Sequence, residues 1–483
     1  MKKIIIALLS LVLLVTAVSL TMTSCSKGLL LRTMRGDAKA TYFFAVVNEN
    51  AARADSFTME QTMLLDMEVN GMDYEQTTVA TVTNIGRDED MSTLTQTVTE
   101  VVVNNIRTVS YNDYGYADGV MFLYSREEGS ESKLKSPITV EEYEGFIAEQ
   151  NHGEPGITVG EGYSDTMTCV QNSDKTWTAT YENFTEEGMI PFYRMLAGVE
   201  YMVTADHTLS DVRLTCTADE KLYLVELTVE YLFEENPEAE TEVPEVRIDY
   251  RYDGWNHTVL AEPYDVTYFH EVEDVRYVER FLKALRDRET AEAGSFDVKS
   301  EATAQYGNRQ ETEQTNQKVT FNTVDGYRFT LDSTQLGSDI RITYQDGRMT
   351  TSVYDSDTGE LLETETDRMP DYEAQATVQQ LMNNLSIRGL DIVDVKLTDG
   401  EKGIYRYDLG SSVRRRLDEQ YYGLYGAHLD SFSGYIEATI VDGKLVSYTF
   451  DVYCSLELNH QNLSITTRAT VTFHEQTEEG EAV

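Results

Sequence analysis

Between Val446 and Leu458 the chain alternates without a break. Val446, Tyr448, Phe450, Val452, Cys454, Leu456 and Leu458 are apolar, and Ser447, Thr449, Asp451, Tyr453, Ser455 and Glu457 separate them. Only a strand sends successive side chains to opposite faces, so this pattern predicts one long strand with a packed face and a wet face. A strand that long needs neighbours to satisfy its backbone. Tight-turn pairs supply them. Asn70-Gly71, Asp118-Gly119, Asp325-Gly326, Asp346-Gly347, Asp399-Gly400 and Asp442-Gly443 all tolerate the positive φ of a two-residue hairpin. The expectation is a meander of antiparallel strands.

At 483 residues the chain is too long for one core and suits two or three domains. Internal likenesses point to two. Ser56-Phe57 recurs as Ser295-Phe296, 239 residues on, and Tyr114 and Gly119 recur as Tyr354 and Gly359, 240 on. Gly198, Asp206, Leu209, Val212 and Leu214 match Gly434, Asp442, Leu445, Tyr448 and Phe450, each 236 on. The predicted domains are residues 37–268 and 269–474, joined between Trp255 and Glu273 and followed by an acidic tail, 475–483. Each opens with a helix: Thr41 to Ala54 in the first, and in the second a face of Val275, Val278, Phe281, Leu282 and Leu285. Asp274 is expected to cap that second helix, with Gly294 just past its end. Two more helices interrupt each meander: Thr139 to Gln150 and Thr185 to Leu196, then Asp371 to Asn384 and Ser411 to Tyr425. Glu234 to Glu245 reads as an exposed acidic loop. The fold class is α+β.

The N-terminus carries an address. Met1-Lys2-Lys3 is a positive start, Ile4 to Val18 is almost wholly apolar, and small residues lead to Cys25. That is a secretory signal, and the Cys behind it resembles the bacterial lipoprotein signal. Residues 1–24 are then the signal, Cys25 the site of lipid attachment and 25–36 a tether, in which Leu29-Leu30-Leu31 is the one apolar oddity. No later stretch approaches the roughly 18 apolar residues that span a bilayer. The remaining cysteines, Cys169, Cys216 and Cys454, are expected to be buried and reduced, with a Cys169–Cys216 disulfide as the alternative.

A helix, a run of long antiparallel strands and two helices dropped into the meander resembles the LolA/LolB/LppX-like superfamily of bacterial lipoproteins and lipid carriers. The resemblance covers nearly the whole mature chain, once per copy. It rests on element order, the lipoprotein signal and turn positions, since that superfamily has no tight residue motif. It implies that each domain is a curved antiparallel half-barrel with helices on its concave side. It also implies a mechanism of burial, because each methylene moved out of water gains about 0.8 kcal/mol. Candidate cavity-lining residues are Phe192, Met195, Leu381, Met382, Tyr448 and Phe450, which otherwise fill a core.

A search for chemistry returns little. There is no G-x-S-x-G elbow, P-loop or dinucleotide glycine motif; Gly160-Glu161-Gly162 continues as Tyr-Ser-Asp. Neither His270-Glu271 nor His474-Glu475 is followed by the second His of a zinc helix. Asp355 to Glu360 starts like a calcium loop, but the twelfth position is Thr366 and not a bidentate Glu, so it reads as a hairpin turn. Tyr421, Tyr422 and Tyr425 are expected to cover a sheet edge or hold a helix rather than stack on sugars. No catalytic residue, metal ligand or cofactor is assigned. Acidic residues number 84 against 39 Lys and Arg, a net charge of −45. That excludes nucleic acid as a partner and leaves a cationic protein as a fitting one. The expectation is a non-catalytic lipoprotein tethered outside the cell membrane that binds or carries a hydrophobic ligand or lipidated partner. The alternative is a structural or protein-interaction lipoprotein with no cavity ligand.

Overall fold

The computed structural model describes residues 27–28, 30–69, 72–86, 91–150, 163–196, 207–234, 242–258, 264–323, 326–335, 338–383, 385–458 and 460–474. The signal stretch, Cys25, Asn70-Gly71, Asp325, Gly198, Asp206, most of the acidic loop and the tail lie outside them.

The first copy runs α1 (Asp37–Arg53), β1 (Ser56–Val69), β2 (Met72–Ile85), β3 (Ser92–Val103), β4 (Ile106–Ala117), β5 (Val120–Glu127) and β6 (Ser130–Pro137). It continues with α2 (Val140–Gln150), β7 (Ser164–Gln171), β8 (Trp177–Phe184), α3 (Glu186–Met195), β9 (Thr208–Ala218), β10 (Leu224–Glu234) and β11 (Glu245–Asp253). After a short strand β12 (His270–Glu271) the second copy repeats the order. It runs α4 (Arg276–Glu289), β13 (Ala293–Tyr306), β14 (Arg309–Asn322), β15 (Arg328–Gln335), β16 (Ser338–Gln345), β17 (Arg348–Asp355) and β18 (Leu361–Arg368). Then come α5 (Asp371–Met382), a 3-10 turn (Gly389–Asp391), β19 (Ile392–Asp399), β20 (Ile404–Leu409), α6 (Ser411–Tyr425), β21 (Leu429–Val441), β22 (Lys444–Leu458) and β23 (Gln461–His474).

Strand order is duplicated too. One sheet reads β6-β5-β4-β3-β2-β1-β11-β10-β9-β8-β7, with β12 added beside β6; the other reads β18-β17-β16-β15-β14-β13-β23-β22-β21-β20-β19. Neither sheet closes on itself. The chain divides into two compact units, residues 1–109 with 144–263 and residues 110–143 with 264–483. The predicted cut at 268/269 differs from this chiefly because the β5–β6 hairpin goes with the second unit.

In each unit the opening helix meets a row of apolar side chains that crosses the sheet. In the first, Met63, Ile248, Val229, Leu214, Tyr181 and Met167 stand opposite one another on β1, β11, β10, β9, β8 and β7. The Tyr181 hydroxyl donates to the Ala40 carbonyl of α1 (2.8 Å), and Phe44 meets its ring edge-on. In the second, Ala469, Phe450, Ile436, Tyr407 and Val395 form the matching row on β23, β22, β21, β20 and β19. There the Tyr407 hydroxyl donates to the Tyr277 carbonyl of α4 (3.1 Å), and Phe281 stacks on its ring.

These equivalences correct the pairings read from sequence. Ala40 and Tyr277 are 237 apart, Tyr181 and Tyr407 are 226 apart, and Ile248 and Ala469 are 221 apart. Loop lengths drift, so no single offset holds. The match of Leu209, Val212 and Leu214 with Leu445, Tyr448 and Phe450 compares β9 with β22, whereas the topological partner of β9 is β21. Likewise Asp118-Gly119 corresponds to Asp346-Gly347, and Gly359 to Gly129, one hairpin away from the sequence pairing. Alternating strands resemble each other, and neighbours in a meander are easily exchanged.

Local readings fare better. α6 spans the predicted residues and ends on Gly426 at φ 68°, whose amide donates to the Tyr422 carbonyl (2.8 Å). Thr139 and Glu142 cap α2 reciprocally, the Glu142 amide donating to the Thr139 hydroxyl (3.3 Å) and the Thr139 amide to the Glu142 carboxylate (2.8 Å). Asp118-Gly119, Asp346-Gly347 and Asp442-Gly443 turn with both residues at positive φ. Asp399-Gly400 does not; β19 and β20 join through residues 400–403, and Gly403 takes the positive φ. Gly294 is not a helix cap but lies inside β13, close under the Phe321 ring. In β22 the alternation is real from Tyr448 to Leu456, but Val446 is exposed and Leu445 buried. The register steps from Ile440–Leu445 to Thr439–Ser447, so Val446 is the extra residue of a bulge. The tether is not bare: Leu31 has no exposed surface and belongs to the first unit's core.

Candidate functional site

A sheet edge exposes unpaired N–H and C=O groups and is normally blunted. Three of the four edges here are covered by other parts of the chain. Along β7, α1 packs against the strand, Lys39 Nζ donates to the Cys169 carbonyl (2.8 Å) and Arg32 to Gln171 (3.1 Å). Beside β19, Ser132 donates to the Ile392 carbonyl (2.6 Å) and Glu273 accepts the Leu397 amide (2.9 Å).

The edge at β6 is covered by the chain itself. β12 joins it in parallel, with His270 opposite Leu134 and Glu271 opposite Lys135. The Val272 amide donates to the Lys135 carbonyl (2.9 Å), and Lys135 Nζ donates to the Val266 carbonyl (3.0 Å). Across this seam Glu271 lies opposite Lys135, while Lys133 pairs with Glu131 of its own strand (3.0 Å) and Asp274 holds Arg276 (2.6 Å). Aromatic rings fasten the same segment. Tyr264 stacks on Phe122 at 4.5 Å and Phe269 meets it edge-on at 5.8 Å. At the hairpin's tip Glu127 accepts from Arg388 (3.0 Å) and Arg415 (3.3 Å). Beneath it the fully buried carboxylate of Asp391 accepts from Arg416 at 2.7 and 3.0 Å, from the Arg388 amide at 2.8 Å, and from Ser412. Leu134, in the middle of β6, is 2% exposed.

The fourth edge, β18, occupies the position of β6 in the second copy, and all eight of its residues are exposed. It pairs with β17 on one side only, and among the described residues no strand, helix or side chain covers the other side. Its faces differ. Glu363, Glu365 and Asp367 stand opposite Val353, Thr351 and Met349 and share one face. The other face carries a hydroxyl ladder, Thr350 with Thr366 (3.1 Å) and Ser352 with Thr364 (3.5 Å). Leu361 and Leu362, at the start of the strand, are more than half exposed. The turn before it is a hairpin turn, as read from sequence. Asp355 spends one carboxylate oxygen on the amides of Asp357 and Thr358 and the Thr358 hydroxyl, which hold its carboxyl below the usual range. Among the described residues no group of three or more His, Cys, Asp or Glu is placed to hold a metal ion.

The six residues expected to line a cavity sit elsewhere. Phe192 is fully buried in the first unit's core, with Met195 packed against it. Met382, Tyr448 and Phe450 are buried in the second unit, where the Tyr448 hydroxyl donates to the Met382 carbonyl and its ring meets Phe281. Leu381 beside them is partly buried. Cys169, Cys216 and Cys454 are free and buried, as expected. Burial raises the thiols of Cys169 and Cys454 to about 11. Cys169 and Cys216 both stand opposite Ala179, on strands either side of it, so a whole strand separates them and a disulfide is out of reach. Tyr421 and Tyr425 stack at 6.0 Å, while Tyr422 and Leu424 are exposed.

Sequence reading passed over β18. Its signal was the acidic alternation of Glu363, Glu365 and Asp367, hidden by the charge of the whole chain. The clamp of Glu127 with Arg388 and Arg415 joins residues more than 260 apart and leaves no local trace.

No protein-family model matches the chain, and no curated protein does. Among solved structures, it is similar to a DUF1329 family protein from Desulfovibrio piger at 8% identity, over 42% of this chain and 93% of that one, with a TM-score of 0.16. A transferrin binding protein B mutant from Haemophilus parasuis is similar at 7% identity, over 88% and 76%, with a TM-score of 0.14. A DUF3598 family protein from Nostoc punctiforme follows at 8%, over 86% and 94%, with a TM-score of 0.12. Likeness this distant carries no inference about function.

Proposed function

We propose that this protein is an extracytoplasmic interaction module, anchored to the cell membrane through a lipid on Cys25, non-catalytic, and built from two LolA-like domains with helices on their concave sides. The observation that carries the reading is the bare β18 edge, in a fold that covers its other three edges. Burial of Phe192, Met382, Tyr448 and Phe450 within packed cores supports it over the carrier reading, because a lipid would have to displace them. The basic start, apolar run and Cys25 support the address.

The test is native mass spectrometry of the chain from Ser26 onward, purified without detergent and then extracted with organic solvent. The expected result is the mass of the bare protein, unchanged after incubation with membrane lipids. A stoichiometric lipid would overturn the reading in favour of a carrier.

A further inference from the structure

The first copy shows what this fold does with the edge that β18 leaves open. At β6, a strand whose unspent cation is Lys135 takes a segment of the chain as its next strand, with Glu271 opposite that Lys135. At β18 the topology is the same and the charge is reversed. Glu363, Glu365 and Asp367 lie on one face at every second residue, the spacing at which an added strand presents its own side chains. From this we propose that β18 is a docking edge for a basic, extended segment of a partner protein, which adds to the sheet as a twelfth strand.

Three features fix the chemistry of the occupant. Main-chain hydrogen bonds to the open side of Leu361–Arg368 supply affinity whatever the sequence. Lys or Arg at alternate positions meets Glu363, Glu365 and Asp367, which selects a positive segment and steers its approach. Exposed Leu361 and Leu362 offer apolar contact at the start of the strand, so a bulky apolar residue at the corresponding end of the partner is favoured. A second copy of the chain does not fit. Two β18 strands side by side set Glu363, Glu365 and Asp367 against like charges, which is destabilising. The acids therefore refuse self-pairing and admit a basic strand.

The proposal rests on the interaction reading but fails separately from it, since the absence of a bound lipid says nothing about β18. The probe is a synthetic peptide alternating Lys and Val, added to the whole protein in detergent at physiological ionic strength. Binding is followed by fluorescence anisotropy, and backbone protection by hydrogen exchange. The expected result is binding with slowed exchange confined to the amides of Leu361–Arg368. Glu363→Lys with Glu365→Lys, both at exposed positions, should weaken binding at least about tenfold, and so should N-methylation of alternate peptide amides. Binding that survives both changes, protection elsewhere on the acidic surface, absence of binding, or dimerisation of the protein through β18 would each overturn it.

Discussion

The β5–β6 and β17–β18 hairpins occupy the same place in the same topology and lead opposite lives. The first, ending in Ser130-Glu131-Ser132-Lys133-Leu134-Lys135-Ser136-Pro137, alternates buried and exposed and is clamped by rings, guanidinium groups and an added strand. The second, ending in Leu361-Leu362-Glu363-Thr364-Glu365-Thr366-Asp367-Arg368, is exposed along its whole length. Topology sets the edge. Side chains decide whether the edge is closed within the chain or left for something else, and duplication lets one copy keep each option.

That contrast can be broken by mutation. The largest expected effect is at the base of the clamp. Asp391→Ala removes the acceptor that Arg416, Ser412 and the Arg388 amide share, and should cost about 3–5 kcal/mol in urea denaturation of the second unit. A loss below about 1 kcal/mol would mean the clamp is ornamental. Next comes the paired comparison of the two edge strands. Leu134→Ala removes a buried side chain and should cost about 2–4 kcal/mol, while Leu362→Ala should stay within about 0.5 kcal/mol of the parent. Equal losses would show β18 to be buried in the working protein. The smallest effect sharpens the equivalence of the copies. Tyr181→Phe and Tyr407→Phe each delete one hydroxyl that reaches its opening helix, and each should lower stability by about 1 kcal/mol. The losses should fall in different unfolding transitions if the two units melt separately.

What could be read from sequence was the information carried by neighbours in the chain. Helix α6 ends on Gly426, and α2 opens on Thr139 with Glu142 three residues on. Asp118-Gly119, Asp346-Gly347 and Asp442-Gly443 mark hairpins, because each pair needs only its own φ. The failures are equally physical. A bulge at Val446 shifts which residues face the core, and nothing in the alternation announces it. The copies could be sensed but not aligned: β9 was matched with β22 since any two amphipathic strands share a pattern. The site lay furthest from view. An open edge is defined by what fails to pair with it, and that depends on residues scattered from Arg32 to Arg416 that close the other edges.

The burial of Leu31 would set a working distance for a protein anchored at Cys25. If Cys25 carries the proposed lipid, five residues separate the anchor from a side chain sealed in the first unit's core, and even a fully extended chain covers only about 20 Å over those six steps. So short a leash cannot carry the module out through a thick envelope layer. An anchor at Cys25 would hold the first unit at the bilayer, where anionic headgroups would repel acidic side chains. A protein fixed in this way would not search for the proposed partner; the partner would have to come within reach of the membrane to be met.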